Sequence, residues 1–249
     1  MPILDRRRPI VVLGGTGDAL KLAQELSRLG YAIIYSVVGL TTPPKASFVV
    51  RSGGFGGVDG LADYLLAEDI GLLIDATHPY AATISTHARD ATRRCGLPYW
   101  ALRRPPWSRT AGIAWEEFQD WTQLVGLLAA HQRPLFTIGR EPLKHLAERP
   151  TGQIWLIRCL DGVGSSAGVC LITARGPFTL ASELELMSSQ RIDALICKNS
   201  GGEAVAAKLQ VAARLGIPVL MQRRPRLPSA DREFGEASSL VVALERLQQ

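Results

Sequence analysis

Short apolar runs alternate along this chain with stretches in which apolar residues recur every three or four positions, the pattern of strands followed by helices. The first run, 10–13 (IVVL), is succeeded by Leu22, Leu26 and Leu29, spaced for one helical face. Runs at 31–38 (YAIIYSVV), 48–51, 70–75 (IGLLID) and 97–102 (LPYWAL) predict four more strands, with helices over 58–68 and 81–95. IGLLID is almost continuously apolar, as a strand covered on both faces should be.

The stretch Arg103-Arg104-Pro105-Pro106-Trp107 carries neither period and reads as a linker. Beyond it the alternation resumes. Helices are predicted over 119–130, 141–148, 178–189 (Leu180, Leu184 and Met187 on one face), 203–215 and 238–247. Strands are predicted over 134–138, 154–160, 169–173 and 194–197, with 217–221 as the last, and 162–168 reads as a small-residue loop. Strands alternating with helices imply an α/β fold with a parallel sheet in each half. The expected domains are 1–103 and 104–249.

Composition narrows the class. With 47% hydrophobic and 20% charged residues the chain is ordinary globular material. The four-residue apolar run before the first glycines is too short for a signal-peptide core, and nothing approaches the ~18 uninterrupted apolar residues of a membrane span. A cytoplasmic protein with no membrane partner is expected. Cys95, Cys159, Cys170 and Cys197 form no C-x-x-C pair and have no histidine at zinc spacing, so no metal site is expected. The net charge of +5 suggests an anionic partner. Without an aromatic-rich RNA signature or a dense basic helix, small polyanions are favoured over nucleic acid.

The candidate chemistry gathers where predicted strands end. Gly14, Gly15, Thr16, Gly17 and Asp18 turn the first strand into its helix, a junction whose glycines admit close approach and whose first helical N–H groups attract a phosphate. The spacing matches neither G-x-G-x-x-G nor the P-loop, and an unliganded βα turn is the alternative. Near the end of the second strand, where NAD sites carry an acid for the ribose 2′-OH, stand Ser36, Gly39, Thr41 and Thr42. A dinucleotide bound here would then carry a 2′-phosphate, so NADPH is preferred; binding of no dinucleotide also explains the missing acid. The cluster Gly53-Gly54-Phe55-Gly56-Gly57 is either a flexible surface turn or a backbone-lined pocket wall.

Asp75, Ala76, Thr77, His78 and Tyr80 follow the IGLLID strand toward the edge where α/β sheets bind ligands. His78 is either a proton donor or a residue that only caps the next helix or hydrogen-bonds the turn. Thr137-Ile138-Gly139-Arg140 and Lys198-Asn199-Ser200-Gly201-Gly202 each put a cation and backbone N–H groups at a strand end. Arg103, Arg104, Arg175, Arg223 and Arg224 add charge suited to a polycarboxylate, or are solvated surface arginines.

Taken together, LGGTGDA at 13–19, GGFGG at 53–57, DATHPYAA at 75–82, TIGR at 137–140 and KNSGG at 198–202 resemble the precorrin-6A and cobalt-precorrin-6A reductases of cobalamin biosynthesis, in order over nearly the whole chain. The resemblance implies two Rossmann-like domains with the active-site cleft between them, NADPH as cofactor, and no metal or flavin. It implies hydride transfer to C19 of a tetrapyrrole polycarboxylate and protonation at C18, giving precorrin-6B. Gly14, Gly15, Thr16, Gly17 and Asp18 would then meet the cofactor phosphates. Ser36, the loop with Gly54, Phe55 and Gly56, and Asp75, Ala76, Thr77 and His78 would complete the nicotinamide side. Arg140, Lys198, Asn199, Ser200, Gly201 and Gly202 would face the macrocycle, with His78, Tyr80 and Lys198 as candidate proton sources beside solvent.

One departure concerns the 2′-phosphate. The family pattern has a basic residue after the glycine that follows strand two, whereas Gly39 is followed by Leu40, leaving Ser36, Thr41, Thr42 and Lys45 as substitutes. A short-chain dehydrogenase is disfavoured, because no tyrosine has a lysine four residues on. The alternative from another class is an NADP(H)-binding regulatory module without turnover. A monomer or weak homo-oligomer is expected.

Overall fold

The protein, a computed structural model, is described over residues 7–39, 46–109, 114–160, 165–202 and 206–247. It divides into two compact units, one of Met1–Pro105 with Pro225–Gln249 and one of Pro106–Arg224.

In the first unit β1 (Ile10–Leu13) leads into α1 (Gly17–Arg28), followed by β2 (Ile33–Val37), β3 (Val49–Ser52), α2 (Gly57–Ala67), β4 (Leu72–Asp75), α3 (Ala82–Cys95) and β5 (Tyr99–Leu102). The second unit contains β6 (Trp115–Phe118), α4 (Trp121–Leu128), β7 (Pro134–Phe136), a 3-10 helix (Glu141–Glu148), β8 (Trp155–Cys159), β9 (Ser165–Ser166), β10 (Val169–Thr173), α5 (Leu180–Ser189), β11 (Ala194–Lys198), α6 (Ala207–Leu215) and β12 (Val219–Gln222). The chain then returns to the first unit as β13 (Arg232–Phe234) and α7 (Ala237–Arg246).

The first sheet runs β13-β5-β4-β1-β2-β3, and every pairing is parallel. Leu22 and Leu26 of α1 pack with Leu240 and Leu244 of α7 on one face, while Leu61 and Leu65 of α2 pack with Ala88 and Ala91 of α3 on the other. The second sheet runs β6-β12-β11-β7-β8-β10-β9, parallel except for the antiparallel β9–β10 pair. Met187 of α5 and Leu209 of α6 cover one face; Leu124 and Leu128 of α4 cover the other. Both sheets are thus wound with helices on two faces, as nearly continuous apolar strands require.

Four expectations are corrected. The tail 225–249 belongs to the first unit, not the second: β13 pairs with β5, and Phe234 packs its ring 5.3 Å from that of Trp100. The run 217–221 is therefore not the last strand, and β6, whose WEEF pattern exposes its two glutamates, was not anticipated. The helix expected over 141–148 is a 3-10 segment broken at His145 (φ −119°), whose ring stacks 3.9 Å from that of Trp121. On α5, Met187 and Glu183 are buried while Leu180 and Leu184 stay exposed. The reason is Arg158, which reaches from β8 to hold the Glu183 carboxylate at 2.6 and 3.0 Å and so turns the glutamate inward.

Candidate functional site

In a wound sheet, ligands sit beyond the carboxyl ends of the strands where the strand order reverses. That point in the first sheet lies between β1 and β4, and in the second between β7 and β11. The loop of Gly14–Asp18 and the loop of Asp75–Tyr80 therefore flank the first switch point. Arg140 and Lys198–Gly202 follow the two strands at the second.

At the first switch point each member of the glycine loop has a distinct constraint. A Cβ on Gly14 would run into the ring of Tyr35, and Gly15 takes φ +104°. The Tyr35 hydroxyl accepts the Gly15 N–H at 3.0 Å, so this donor is engaged within the fold. Burial raises the Tyr35 phenol above its ordinary value, against the lowering effect of that bond, and keeps it a neutral hydroxyl. Thr16 caps α1 by accepting the Ala19 N–H at 3.1 Å and donates to the Ala76 carbonyl at 3.2 Å, tying the turn to the end of β4. Gly17 has neither positive φ nor any atom within 4 Å of an added Cβ. The fold itself places no demand for glycine there, and the first-turn N–H groups of Gly17 and Asp18 lack intrahelical acceptors. Asp18 pairs with Arg104 at 2.5 Å, which brings an arginine of the linker to the start of α1.

The carboxylate of Asp75 is directed inward. One oxygen accepts the Thr77 N–H (3.1 Å) and hydroxyl (2.6 Å); the other accepts the hydroxyls of Ser85 (2.6 Å) and Tyr99 (2.8 Å). Burial, then the neighbouring Asp75 charge, push the Tyr99 phenol far up, so it remains a donor. Asp75 and Thr77 thus shape the loop through each other, with Asp75 3% exposed. His78 accepts the Tyr80 N–H on Nδ1 at 3.3 Å, and the His78 carbonyl accepts the Ala81 N–H at 2.8 Å. The two rings have their centroids 5.6 Å apart. Ser85 and Tyr99 were missed in the sequence because neither was singled out by a motif.

Ser36 is buried within β2, and its carbonyl accepts the Gly14 N–H at 2.8 Å. Thr41, Thr42 and Lys45, named as substitutes for a 2′-phosphate contact, lie outside the described residues, as does Leu40. The glycine cluster after β3 is a defined turn: Gly53, Gly56 and Gly57 take positive φ, and Phe55 packs 5.3 Å from Tyr64. Gly54, Phe55 and Gly56 stand beyond β3, on the β2 side of β1, whereas Asp75 and His78 stand on the β4 side.

At the second switch point Thr137 ties β7 to β11 by donating its hydroxyl to the Ile196 carbonyl at 2.9 Å. Gly139 takes φ +80° and Arg140 opens the 3-10 helix. Burial lowers the Lys198 pKa while the Glu141 carboxylate raises it in part. Glu141 in turn bonds Lys144 at 2.7 Å, which holds its carboxyl below the usual range against the opposing effect of burial. Glu141 was not singled out in the sequence; its place directly after TIGR is the signal that could have found it. Asn199 is occupied structurally: its amide accepts the Trp107 N–H at 2.8 Å and donates to the Trp107 carbonyl at 3.2 Å. Its own carbonyl accepts from Arg224 at 2.7 Å. Entry and exit of the chain are thereby fastened at one residue. Ser200 is buried, its N–H bonded to the Lys198 carbonyl at 2.8 Å, and Gly201 and Gly202 both take positive φ.

The loop arginines divide. Arg103 holds Glu233 and the Pro228 carbonyl, Arg104 holds Asp18, Arg223 holds Glu117 at 2.9 Å, and Arg175 is exposed. The three candidate proton donors likewise fall into both units, His78 and Tyr80 in the first and Lys198 in the second. Among the described residues no helix is long and apolar enough to cross a membrane.

Comparison with known proteins gives this geometry a family. The family described as "Precorrin-6x reductase CbiJ/CobK" matches residues 9–245. A precorrin-6A reductase of Rhodococcus erythropolis is 42% identical over 94% of this chain and 96% of its own. A cobalt-precorrin-6A reductase of Methanothermobacter thermautotrophicus is 27% identical over 95% of this chain and 84% of its own. The solved structure of "CobK precorrin-6A reductase" superposes with a TM-score of 0.89 at 34% identity, covering 96% of this chain and 97% of that one. With the wound sheets and their loaded switch points, these matches place the chain in the precorrin-6x reductase family, an NADPH-dependent oxidoreductase of two Rossmann-like domains.

Proposed function

We propose that this chain reduces precorrin-6A with NADPH, adding hydride at C19 and a proton at C18 to give precorrin-6B. The observation that carries the reading is the pairing of the glycine loop with the Asp75–Tyr80 loop across the β1/β4 switch point, in a chain matched to the reductase family over residues 9–245. The metal-free substrate is favoured because relatives named precorrin-6A reductase are 38–42% identical, against 25–27% for those named cobalt-precorrin-6A reductase.

The residues fit the cofactor. Gly17, which nothing in the fold requires, leaves room for a phosphate at the start of α1, where Arg104 offsets the Asp18 carboxylate. The Tyr35 hydroxyl, having accepted the Gly15 N–H, retains its own proton to donate. Bound NADPH supplies the hydride, and the chain's work is to position and to protonate. Asp75, saturated by four donors, fixes the loop that presents His78 and Tyr80. Arg140 and Lys198 are assigned to the substrate carboxylates, with Ser200, Gly201 and Gly202 shaping the loop and Asn199 anchoring it.

Lys198 stands with His78 and Tyr80 as a proton source, burial making its ammonium a stronger acid than an exposed lysine's. Lys198→Gln is expected to lower turnover tenfold or more, about 1.4 kcal/mol. The function is tested by an anaerobic absorbance time course with NADPH and precorrin-6A or its cobalt complex, following cofactor and macrocycle bands together. Coupled changes, faster with the metal-free substrate, are expected. NADPH binding with neither macrocycle altered would leave the regulatory-module reading instead.

A further inference from the structure

Of the strands flanking the cofactor edge, β3 carries the residue that no motif singled out. Arg51 stands in register opposite Ser36 of β2, and register partners emerge on the same face of a pleated sheet. Its guanidinium carbon lies 3.7 Å from the centroid of the Phe55 ring and 5.0 Å from that of Tyr64. Nη1 donates to the Gly53 carbonyl at 2.7 Å and Nη2 to the Gly54 carbonyl at 2.9 Å. A half-buried arginine is thus held over an aromatic ring, its position fixed before any ligand arrives. Two of its five N–H groups serve the turn, and the side chain keeps further donors of its rigid fork.

The neighbouring glycine points the same way. Gly53 needs its φ of +110°, but Gly54 has neither positive φ nor any atom within 4 Å of an added Cβ. The fold leaves glycine at 54 unexplained, as it does at 17, and both positions border the carboxyl edge of one sheet. Glycine where folding does not demand it suits a ligand that approaches the backbone.

We propose that Arg51 binds the 2′-phosphate on the adenosine of NADPH and sets the preference for NADPH over NADH. This rests on the reading of the chain as an NADPH-dependent reductase. The end of the second strand of such a sheet meets the adenosine ribose, with an acid for a 2′-OH or an arginine for a 2′-phosphate. Here that end carries Ser36, and the arginine arrives from the adjoining strand. The loop of Gly54, Phe55 and Gly56 is accordingly assigned to the adenosine end of the cofactor, not to the nicotinamide end that the resemblance implied. Phe55 then acts as a positioning residue, orienting the guanidinium from below.

The test uses two fragments without a nicotinamide, adenosine 2′,5′-bisphosphate and AMP, titrated calorimetrically into the full chain. The wild type is expected to bind the bisphosphate at least about tenfold more tightly, 1.4 kcal/mol. Arg51→Gln should bring that ratio to within about twofold of unity, and Arg51→Lys, which keeps the charge and loses the fork, should fall between. NADP⁺ and NAD⁺ should follow the same order. A wild type indifferent to the 2′-phosphate, or an Arg51→Gln chain that keeps the wild-type ratio, would overturn the proposal; equal losses for both fragments would do the same by reducing Arg51 to a support of the turn. Should Arg51→Gln fail to melt cooperatively, the ratio in Arg51→Lys decides, a reduced value supporting and an unchanged one refuting. A bisphosphate preference in a chain that reduces no macrocycle would sink the reductase reading and leave this one standing.

Discussion

The two sheets share the order of the five strands around their switch points but secure those points by different chemistry. In the first, a buried carboxylate, Asp75, takes four hydrogen bonds from neutral donors on its own loop, on α3 and on β5. In the second, a buried amide, Asn199, exchanges two hydrogen bonds with the backbone of Trp107 and accepts a third on its carbonyl from Arg224. The first arrangement stiffens a loop from beneath; the second fastens the ends of a unit. A charge buried among hydroxyls depends on every donor, whereas an amide bonded to backbone concentrates its role in one pair. Both residues sit inside motifs that advertise chemistry, and both act by holding their neighbours in place.

The sharpest way to break that comparison is to remove the two anchors in turn. Asp75→Ala would leave the Ser85 and Tyr99 hydroxyls buried without their acceptor and is expected to destabilise by about 3 kcal/mol or more, read as a lower urea midpoint. Asn199→Ala should cost less, about 1–2 kcal/mol. If the two losses came out equal, the distinction between a charge network and a backbone clasp would fail.

Glycines at the two switch points differ in the same spirit. Gly14→Ala meets the Tyr35 ring, an overpacking expected to cost about 1–3 kcal/mol. Gly139→Ala meets open space and is limited to the strain of φ +80°, about 1–2 kcal/mol. The Gly14 loss should shrink in a Tyr35→Ala background, checked by a double-mutant cycle, while the Gly139 loss should not.

The smallest effect concerns how β13 is held. Burial pushes the Asp231 carboxyl up, but the Tyr99 N–H bond and the Arg89 pair outweigh it and hold it below the usual carboxylate range. A folded-state pKa depressed below the unfolded value of about 3.9 contributes stability that is present above that value. It is lost as pH falls through the folded pKa. Asp231→Asn should therefore melt lower than wild type near neutral pH, with the gap closing in acid. Because the pair is partly exposed, the difference should stay below about 1 kcal/mol.

Legibility followed the range of the interaction. The glycine loop, the IGLLID strand and the strand-end cations were readable because each is a short segment whose own composition specifies it. Glu183 was not: the spacing of Leu180, Leu184 and Met187 implied an apolar face, and only Arg158 on β8 explains why a glutamate replaces leucine in the core. Arg51 was hidden for a related reason, since its significance lies in register with Ser36 and in the ring of Phe55 beneath it.

By itself, then, the sequence determined the alternation of strands and helices, the α/β class, the motifs that resemble the reductases, and the residue types at each strand end. Local pattern suffices there, because hydrophobic period and turn chemistry act over a few residues. The tertiary structure decided which strands adjoin, and so where the two order reversals fall. It returned the tail to the first unit through β13, turned Asp75 and Asn199 inward as anchors, and set Arg51 beside Ser36. Those outcomes depend on partners far along the chain, whose proximity no local pattern encodes and only the pairing of strands creates.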